Sequence, residues 1–184
     1  PNAEAMSILA AEHDLIICVD CGILSYDALA MATDADVIVL DHHLGGETLP
    51  IAKAIVNPNR QDEMGDLSHL CAAAVVFFVL IEASRQMRKN NKTPPDLLKS
   101  LDLVALATVA DVAPLIGVNR AFVRQGLKVM GYRNRVGLNA LSDISGLNAA
   151  PNTYHLGYVL GPRINAGGRI GQADLGARLL CCVD

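Results

Sequence analysis

Two short apolar runs, separated by enough chain for one helix, most constrain the fold of this protein. The runs cover residues 15–19 and 36–40, and polar residues bound both of them. A connection of that length can join two parallel strands through a helical crossover, which we expect between Ser25 and Thr33. The sequence therefore predicts an α/β fold in which a parallel sheet is flanked by helices.

Both runs end in side chains that can bind metals or transfer protons. Asp20 follows the first run, and Asp41, His42 and His43 follow the second. Ligands of open parallel sheets bind beyond the carboxyl ends of the strands, so these four side chains should meet at one edge. Either ending alone is better interpreted as a helix cap or as solvated histidines. The coincidence of the two endings favours a functional site.

Another candidate carboxylate ends a long predicted helix in the second half of the chain. This helix should run from about Asp96 to Ala110, with an apolar stripe that Asp111 continues. A charged carboxylate in a core-facing position carries a desolvation cost unless cations or donors surround it, which favours a bound metal. The alternative is a helix-end aspartate that faces solvent, since Pro114 follows closely.

Five segments, taken in order, carry a resemblance to a known family. They are Val19–Gly22, Asp41–His43, Asn57–Arg60, Ala107–Leu115 and Gly161–Asn165. On these segments the chain resembles the RecJ exonucleases of the DHH phosphoesterase superfamily, over nearly its whole length. The last two segments are the most specific to RecJ within the superfamily.

The resemblance implies a single-stranded-DNA-specific exonuclease that works from the 5′ end with two divalent ions, Mn²⁺ or Mg²⁺, in DNA recombination and repair. Single-stranded DNA would be its substrate, and repair or replication proteins would be candidate partners. The implied roles are Asp20 as the carboxylate shared between the ions, His42 and Asp111 as further ligands, His43 as a group near the scissile phosphate, and Asp41 as the residue that orients a neighbouring histidine.

The residue types suit that chemistry. Carboxylate oxygens favour Mg²⁺ and Mn²⁺, and imidazole shifts the balance towards Mn²⁺. Two such ions can activate water and hold a phosphodiester in line, so no side-chain nucleophile is needed. A zinc-like sulfur site is not indicated, because strand alternation should send Cys18 and Cys21 to opposite faces. We expect buried thiols and no disulfide framework.

Two further segments should support the site. Gly161–Arg169 should form a glycine-rich turn with accessible amides and two guanidinium groups, although such turns are also common in ordinary loops. With the resemblance, Arg163, Asn165 and Arg169 become candidate phosphate contacts. Asn57–Arg60 should be a structural turn that supports the loop at Asp41–His43.

Charge is distributed unevenly along the chain. Residues 1–84 contain 2 basic and 13 acidic side chains, whereas residues 85–184 contain 13 basic and 6 acidic side chains. The net charge of the whole chain is −4. An acidic first half suits cations and a basic second half suits a polyanion, although solvated faces would show the same charges. Aromatic residues make up only 4% of the chain, so we expect few stacking platforms for single strands.

The chain should divide at the polar, proline-containing segment 90–95, into an α/β part at residues 1–90 and a mainly helical part at residues 96–184. The resemblance implies an Asp-x-Asp block upstream of Pro1 that completes the metal site, and a second nucleotide-binding domain and an OB-fold further on. It therefore implies an internal fragment of the DHH core. We expect this fragment to bind divalent ions weakly and to show little or no nuclease activity.

Two alternatives stay open. One is another DHH phosphoesterase, acting on oligoribonucleotides, cyclic dinucleotides or pyrophosphate, against which Gly161–Asn165 argues. The other is a catalytically silent module that binds DNA or a replication partner, against which the retained aspartates and histidines argue.

The 52% hydrophobic content predicts a well-filled core. No apolar run is long enough for a membrane helix and no signal pattern is visible, so we expect a cytoplasmic protein.

Overall fold

A computed structural model describes residues 1–169 and 171–183 of the chain. The chain folds into two units, Pro1–Arg85 and Gln86–Asp184, which we name the sheet unit and the helical unit. The division falls a few residues before the polar segment at residues 90–95. Among the described residues, no helix is both long and apolar enough to cross a membrane.

The sheet unit contains a parallel sheet with helices around it, as the apolar runs predict. The strands are β1 (Leu15–Val19), β2 (Asp36–Leu40) and β3 (Ala54–Val56), in the order β1-β2-β3. The helices are α1 (Ala3–Glu12), α2 (Tyr26–Ala30) and α3 (Ala72–Lys89), the last of which contains the division between the units. Val19 pairs with Leu40 at the ends of their strands, so β1 and β2 finish level with each other.

Helices α1 and α2 bury one face of the sheet. Met6 and Leu29 pack there against Ile16, Val37 and Val39. The crossover helix α2 is shorter than predicted, because the amides of residues 31 and 32 already turn back to the carbonyls of residues 28 and 29. The carboxyl ends of the two central strands are thereby held together at one edge.

After the end of α3, the helical unit continues with a single 3-10 turn, Leu97–Ser100, which leads directly into the α-helix that begins at Leu101, so only the first turn of the helix predicted from about Asp96 to Ala110 is not α-helical. Its helices are α4 (Leu101–Ala110), α5 (Gly117–Gly131), α6 (Val136–Ile144), α7 (Gly161–Gly167) and α8 (Leu175–Cys181), with a π-helix at His155–Leu160 before α7. The core of this unit contains Ala105 and Leu106 of α4, together with Leu138, Leu156 and Leu160.

The segment Gly161–Arg169 is not the glycine-rich turn that the sequence predicts, because the π-helix continues directly into α7. Gly161 is buried, and a Cβ added to it would lie 2.8 Å from the Leu156 carbonyl oxygen and 2.9 Å from the Ala110 Cβ. Pro162 occupies the first turn of α7, where a missing N–H is tolerated. The glycine allows close packing against α4, and the prediction of a loop is wrong.

The contact between α4 and α5 also depends on a glycine. A Cβ added to Gly126 would lie 2.1 Å from the Leu101 carbonyl oxygen and 2.4 Å from the Ala105 Cβ. Both of these neighbours belong to buried parts of α4, so neither can move aside easily. Backbone contact between the two helices therefore sets the centre of the helical unit.

We expect Gly126→Ala to lower the free energy of unfolding by about 2 kcal/mol or more, because the added methyl group overlaps with α4. Chemical denaturation measures this change. Gly131→Ala is the matched control, because it lies in the same helix and its added Cβ meets nothing within 4 Å. Equal stability of the two variants would contradict the packing described here.

Candidate metal centre

Asp20 ends β1 in a conformation that few residues adopt. Its φ is 62°, in the left-handed region that aspartate tolerates better than most side chains. Its amide still donates to the Leu40 carbonyl at 3.0 Å, which extends the pairing of β1 and β2 by one bond. The turn leaves the Asp20 carboxylate exposed at the carboxyl edge of the sheet.

The same turn changes the positions of two cysteines. Strand alternation predicts that Cys18 and Cys21 point to opposite faces, but the two thiols interact and both belong to the core beneath the sheet. The prediction is wrong because the left-handed Asp20 interrupts the alternation between them. Burial raises the pKa of the Cys18 thiol, and Cys21 raises it further. All five cysteines lie in the described part of the chain, and none of them forms a disulfide bond there.

Asp41 is a fully buried carboxylate at the end of β2. Its Oδ2 accepts the amide of Ile23 at 3.0 Å, and its Oδ1 accepts the amides of His42 at 2.8 Å and His43 at 3.2 Å. Burial by itself would raise the pKa of Asp41, but the hydrogen bonds from the His43 side chain and these three amides outweigh it and lower the pKa below its ordinary value. Asp41 thus joins the loops that follow β1 and β2.

His42 is oriented by a backbone carbonyl. Its Nδ1 lies 3.1 Å from the Leu70 carbonyl oxygen, which can only accept, so Nδ1 carries the proton. The Nε2 atom then points at the Asp20 carboxylate, 3.2 Å from Oδ1. A nitrogen lone pair and a carboxylate oxygen at that distance repel each other unless a proton or a cation lies between them. This arrangement fits a shared metal ion.

His43 is oriented by Asp41. Its Nδ1 lies 2.7 Å from the Asp41 Oδ1, so Nδ1–H is the donor and Nε2 lies on the far side of the ring. The ring centroids of His42 and His43 are 4.6 Å apart. An acidic carboxylate that fixes a histidine in this way is the arrangement expected of an orienting residue.

Three of these side chains form a group that could hold a metal ion. One ligand atom from each of Asp20, His42 and His43 lies within 4.8 Å of the other two. Ligands about 2.1 Å from one ion lie up to about 4.2 Å apart across an octahedron, so only small movements would close this group around an ion. One oxygen and two nitrogens suit Mn²⁺ better than Mg²⁺.

The turn at Asn57–Arg60 supports the two histidines, as predicted. The Asn57 Nδ2 donates to the His43 carbonyl at 2.8 Å, and the Asn59 Nδ2 donates to the His42 carbonyl at 2.5 Å. A second bond joins the Asn59 Nδ2 to the Ser68 carbonyl at 3.1 Å. These asparagines therefore fix the backbone at His42 and His43. The Leu70 carbonyl fixes the ring of His42, and the Asp41 carboxylate fixes the ring of His43.

Asp111 occupies the C-cap of α4 in the helical unit and is exposed. The buried stripe of α4 ends at Thr108, whose hydroxyl donates to the Val104 carbonyl at 2.7 Å. The amide of Ala113 then turns back to the Thr108 carbonyl, which closes the helix. The prediction that Asp111 faces the core is wrong for this reason, and its role as a metal ligand stays a prediction.

Arg163, Asn165 and Arg169 are all exposed in the helical unit. Arg163 and Asn165 lie two positions apart in α7, so they point to different sides of that helix. Arg169 follows the end of α7, and the Arg163 Nη1 donates to the Val159 carbonyl at 2.9 Å. Arg163 and Asn165 therefore do not face the same ligand, and the contact of all three side chains with phosphate stays a prediction.

The fold and the site together define a parallel α/β protein with a carboxylate and histidine group, suited to a divalent ion, at the carboxyl edge of its sheet. A family model described as "DHH family, N-terminal domain" matches residues 1–108. The chain belongs to the DHH family.

Similar proteins include the single-stranded-DNA-specific exonuclease RecJ of Dickeya dadantii, 39% identical over 100% of this chain and 34% of the relative. RecJ of Salmonella typhimurium is 42% identical over 91% of this chain and 31% of the relative. The crystal structure of Thermus thermophilus RecJ in complex with Mn²⁺ is similar with a TM-score of 0.82 and 34% identity, covering 99% of this chain and 27% of that one. The chain thus spans about a third of the length of these curated relatives.

We expect His42→Ala to weaken Mn²⁺ binding to the chain by about tenfold or more, because it removes an oriented nitrogen ligand. Asp20→Asn should have a similar effect, and asparagine tolerates the left-handed φ of this position. Isothermal titration with Mn²⁺ measures both affinities. His13→Ala, an exposed histidine outside the group, is the control. If His42→Ala bound Mn²⁺ as tightly as the unmodified chain, the group would not be a metal site.

Proposed function

We propose that this chain forms the metal-binding core of a single-stranded-DNA exonuclease that hydrolyses phosphodiesters from the 5′ end with two divalent ions, Mn²⁺ or Mg²⁺. The observation that carries the proposal is the group of Asp20, His42 and His43 at the carboxyl edge of a parallel sheet, in a chain of the DHH family. The relatives described as single-stranded-DNA-specific exonucleases match at least nine-tenths of its length, which supports the same substrate class.

Each site residue has a proposed role. Asp20 is the carboxylate shared between the ions, and the Nε2 of His42 is a ligand beside it. Asp111 supplies a further carboxylate from the end of α4. Divalent ions bound in this way supply the activated water and the charge stabilisation for in-line hydrolysis of a phosphodiester.

His43 and Asp41 act beside the ligands. Asp41 holds Nδ1 of His43, so Nε2 of that ring is available to the scissile phosphate or to an ion. Because the Asp41 carboxylate is buried and held by three amides, it cannot turn away from the ring. We assign Asp41 the role of a positioning residue.

The helical unit supplies the positive charge for the DNA backbone. Arg163, Asn165 and Arg169 are exposed donors there, and we propose that they contact separate phosphates rather than one. We also propose a cytoplasmic location, with repair or replication proteins as partners.

The test is Mn²⁺-dependent release of nucleotides from single-stranded DNA labelled at either end. Because the chain spans about a third of its relatives, the assay uses a form of the protein as long as those relatives. We expect early release of label from the 5′ end, and loss of activity by orders of magnitude in His42→Ala and in Asp111→Ala. His13→Ala should keep full activity.

Other outcomes would identify the alternatives. Hydrolysis of short oligoribonucleotides or pyrophosphate but not of long DNA would indicate another DHH phosphoesterase. A folded protein that binds DNA and Mn²⁺ without hydrolysis would indicate a silent binding module. Release from the 3′ end first would contradict the proposed direction alone.

A further inference from the structure

Two exposed tyrosines lie side by side in the helical unit. Tyr154 is 62% exposed and Tyr158 is 73% exposed, and their rings stack with centroids 5.2 Å apart and planes inclined by 27°. Tyr158 lies in the π-helix before α7, and Tyr154 is the residue directly before that π-helix, a kind of turn that is frequent at functional sites. In a chain with four tyrosines, three phenylalanines and no tryptophan, a stacked and solvent-facing pair is the main aromatic surface of the described residues.

The tyrosines form one wall of an apolar cavity of about 430 Å³. The opposite wall comes from the end of α4 and the residues after it, including Ala110, Val112 and Leu115. Ala110 and Val112 are the two chain neighbours of Asp111. A flat, apolar ligand that stacked on Tyr158 would therefore lie next to the proposed metal ligand Asp111.

A row of positive charges begins at the rim of this cavity. Leu115 lines the cavity, and its carbonyl accepts a hydrogen bond from the Arg120 Nε at 3.3 Å. Arg120, Arg124 and Lys128 follow at every fourth position of α5 and are all exposed, whereas Phe122 and Met130 on the other side of the helix are buried. We name these three basic residues the α5 stripe.

The α5 stripe is suited to a chain of phosphates. Its members are about 6 Å apart along the helix axis, so flexible cationic side chains can reach successive backbone groups. Helix α5 contains no acidic residue between Gly117 and Gly131 that would neutralise them. The stripe and the cavity are continuous through Leu115 and Arg120.

We propose that the cavity and the α5 stripe form one contact surface for single-stranded nucleic acid, with a nucleobase stacked at Tyr158 and the backbone following the stripe. Cationic tracks combined with aromatic stacking are how proteins bind single strands without sequence preference. The bases of a duplex are already stacked on each other, so this surface selects single strands. The inference rests on the proposed function and names the part of the chain that recognises the substrate.

The first test measures the affinity of the chain for a fluorescein-labelled oligothymidylate by fluorescence anisotropy in EDTA, where hydrolysis cannot occur. Tyr158→Ala should weaken binding about tenfold, because one stacking contact is lost. Tyr132→Ala is the matched control, since Tyr132 is 71% exposed and lines a different cavity. With an abasic oligomer of the same length, Tyr158→Ala should have no effect.

The second test measures how the binding constant depends on salt. Replacing Arg120, Arg124 and Lys128 together by glutamine should reduce the slope of log K against log salt concentration by about 2, because each lost phosphate contact contributes about 0.7. The control replaces Arg88, Lys89 and Lys92 by glutamine, which removes the same charge from exposed positions elsewhere. That control should leave the slope nearly unchanged.

An unmodified chain that fails to bind oligothymidylate would overturn this inference. So would equal affinity of the Tyr158→Ala and Tyr132→Ala variants, or equal salt slopes of the two triple variants. Failure of the proposed function is seen separately, in the Mn²⁺-dependent release of nucleotides. Hydrolysis that needs His42 but is unaffected by the stripe variants would reject the surface and keep the function.

Discussion

The buried carboxylate of Asp41 is the interaction on which the rest of the site depends. It accepts the Ile23 amide from the loop after β1, and it accepts two amides and a ring nitrogen from the loop after β2. A carboxylate in the core is stable only when its lone pairs are satisfied in this way. The hydrogen bonds that satisfy the buried Asp41 carboxylate therefore hold both loops in place. In this arrangement Nε2 of His42 faces Asp20.

Local sequence patterns, such as apolar runs and the polar residues that follow them, predict part of this structure. Apolar runs identify β1 and β2, and the polar residues after these two strands predict a shared edge. The partners of the ligands are not predictable in this way, because the Leu70 carbonyl and the Ile23 amide are backbone groups that any residue provides. The helix at Gly161–Gly167 is missed for a related reason, since its first glycine is required by Ala110 of another helix.

The two units differ in charge in a way that fits their proposed tasks. The sheet unit is acidic and holds the group that suits divalent cations, whereas the helical unit contains most of the basic side chains and the exposed tyrosine pair. Within the helical unit, the two chain neighbours of Asp111 line the cavity of the tyrosines.

We propose that Asp20 and the Nε2 atom of His42 bind one divalent ion. Anomalous diffraction at the manganese edge, from crystals of the chain grown with Mn²⁺, would locate this ion. We expect an anomalous peak within bonding distance of the Asp20 carboxylate and of Nε2 of His42, with Nδ1 still bonded to the Leu70 carbonyl. Manganese bound through Nδ1, or bound only at other residues, would rule out this metal site.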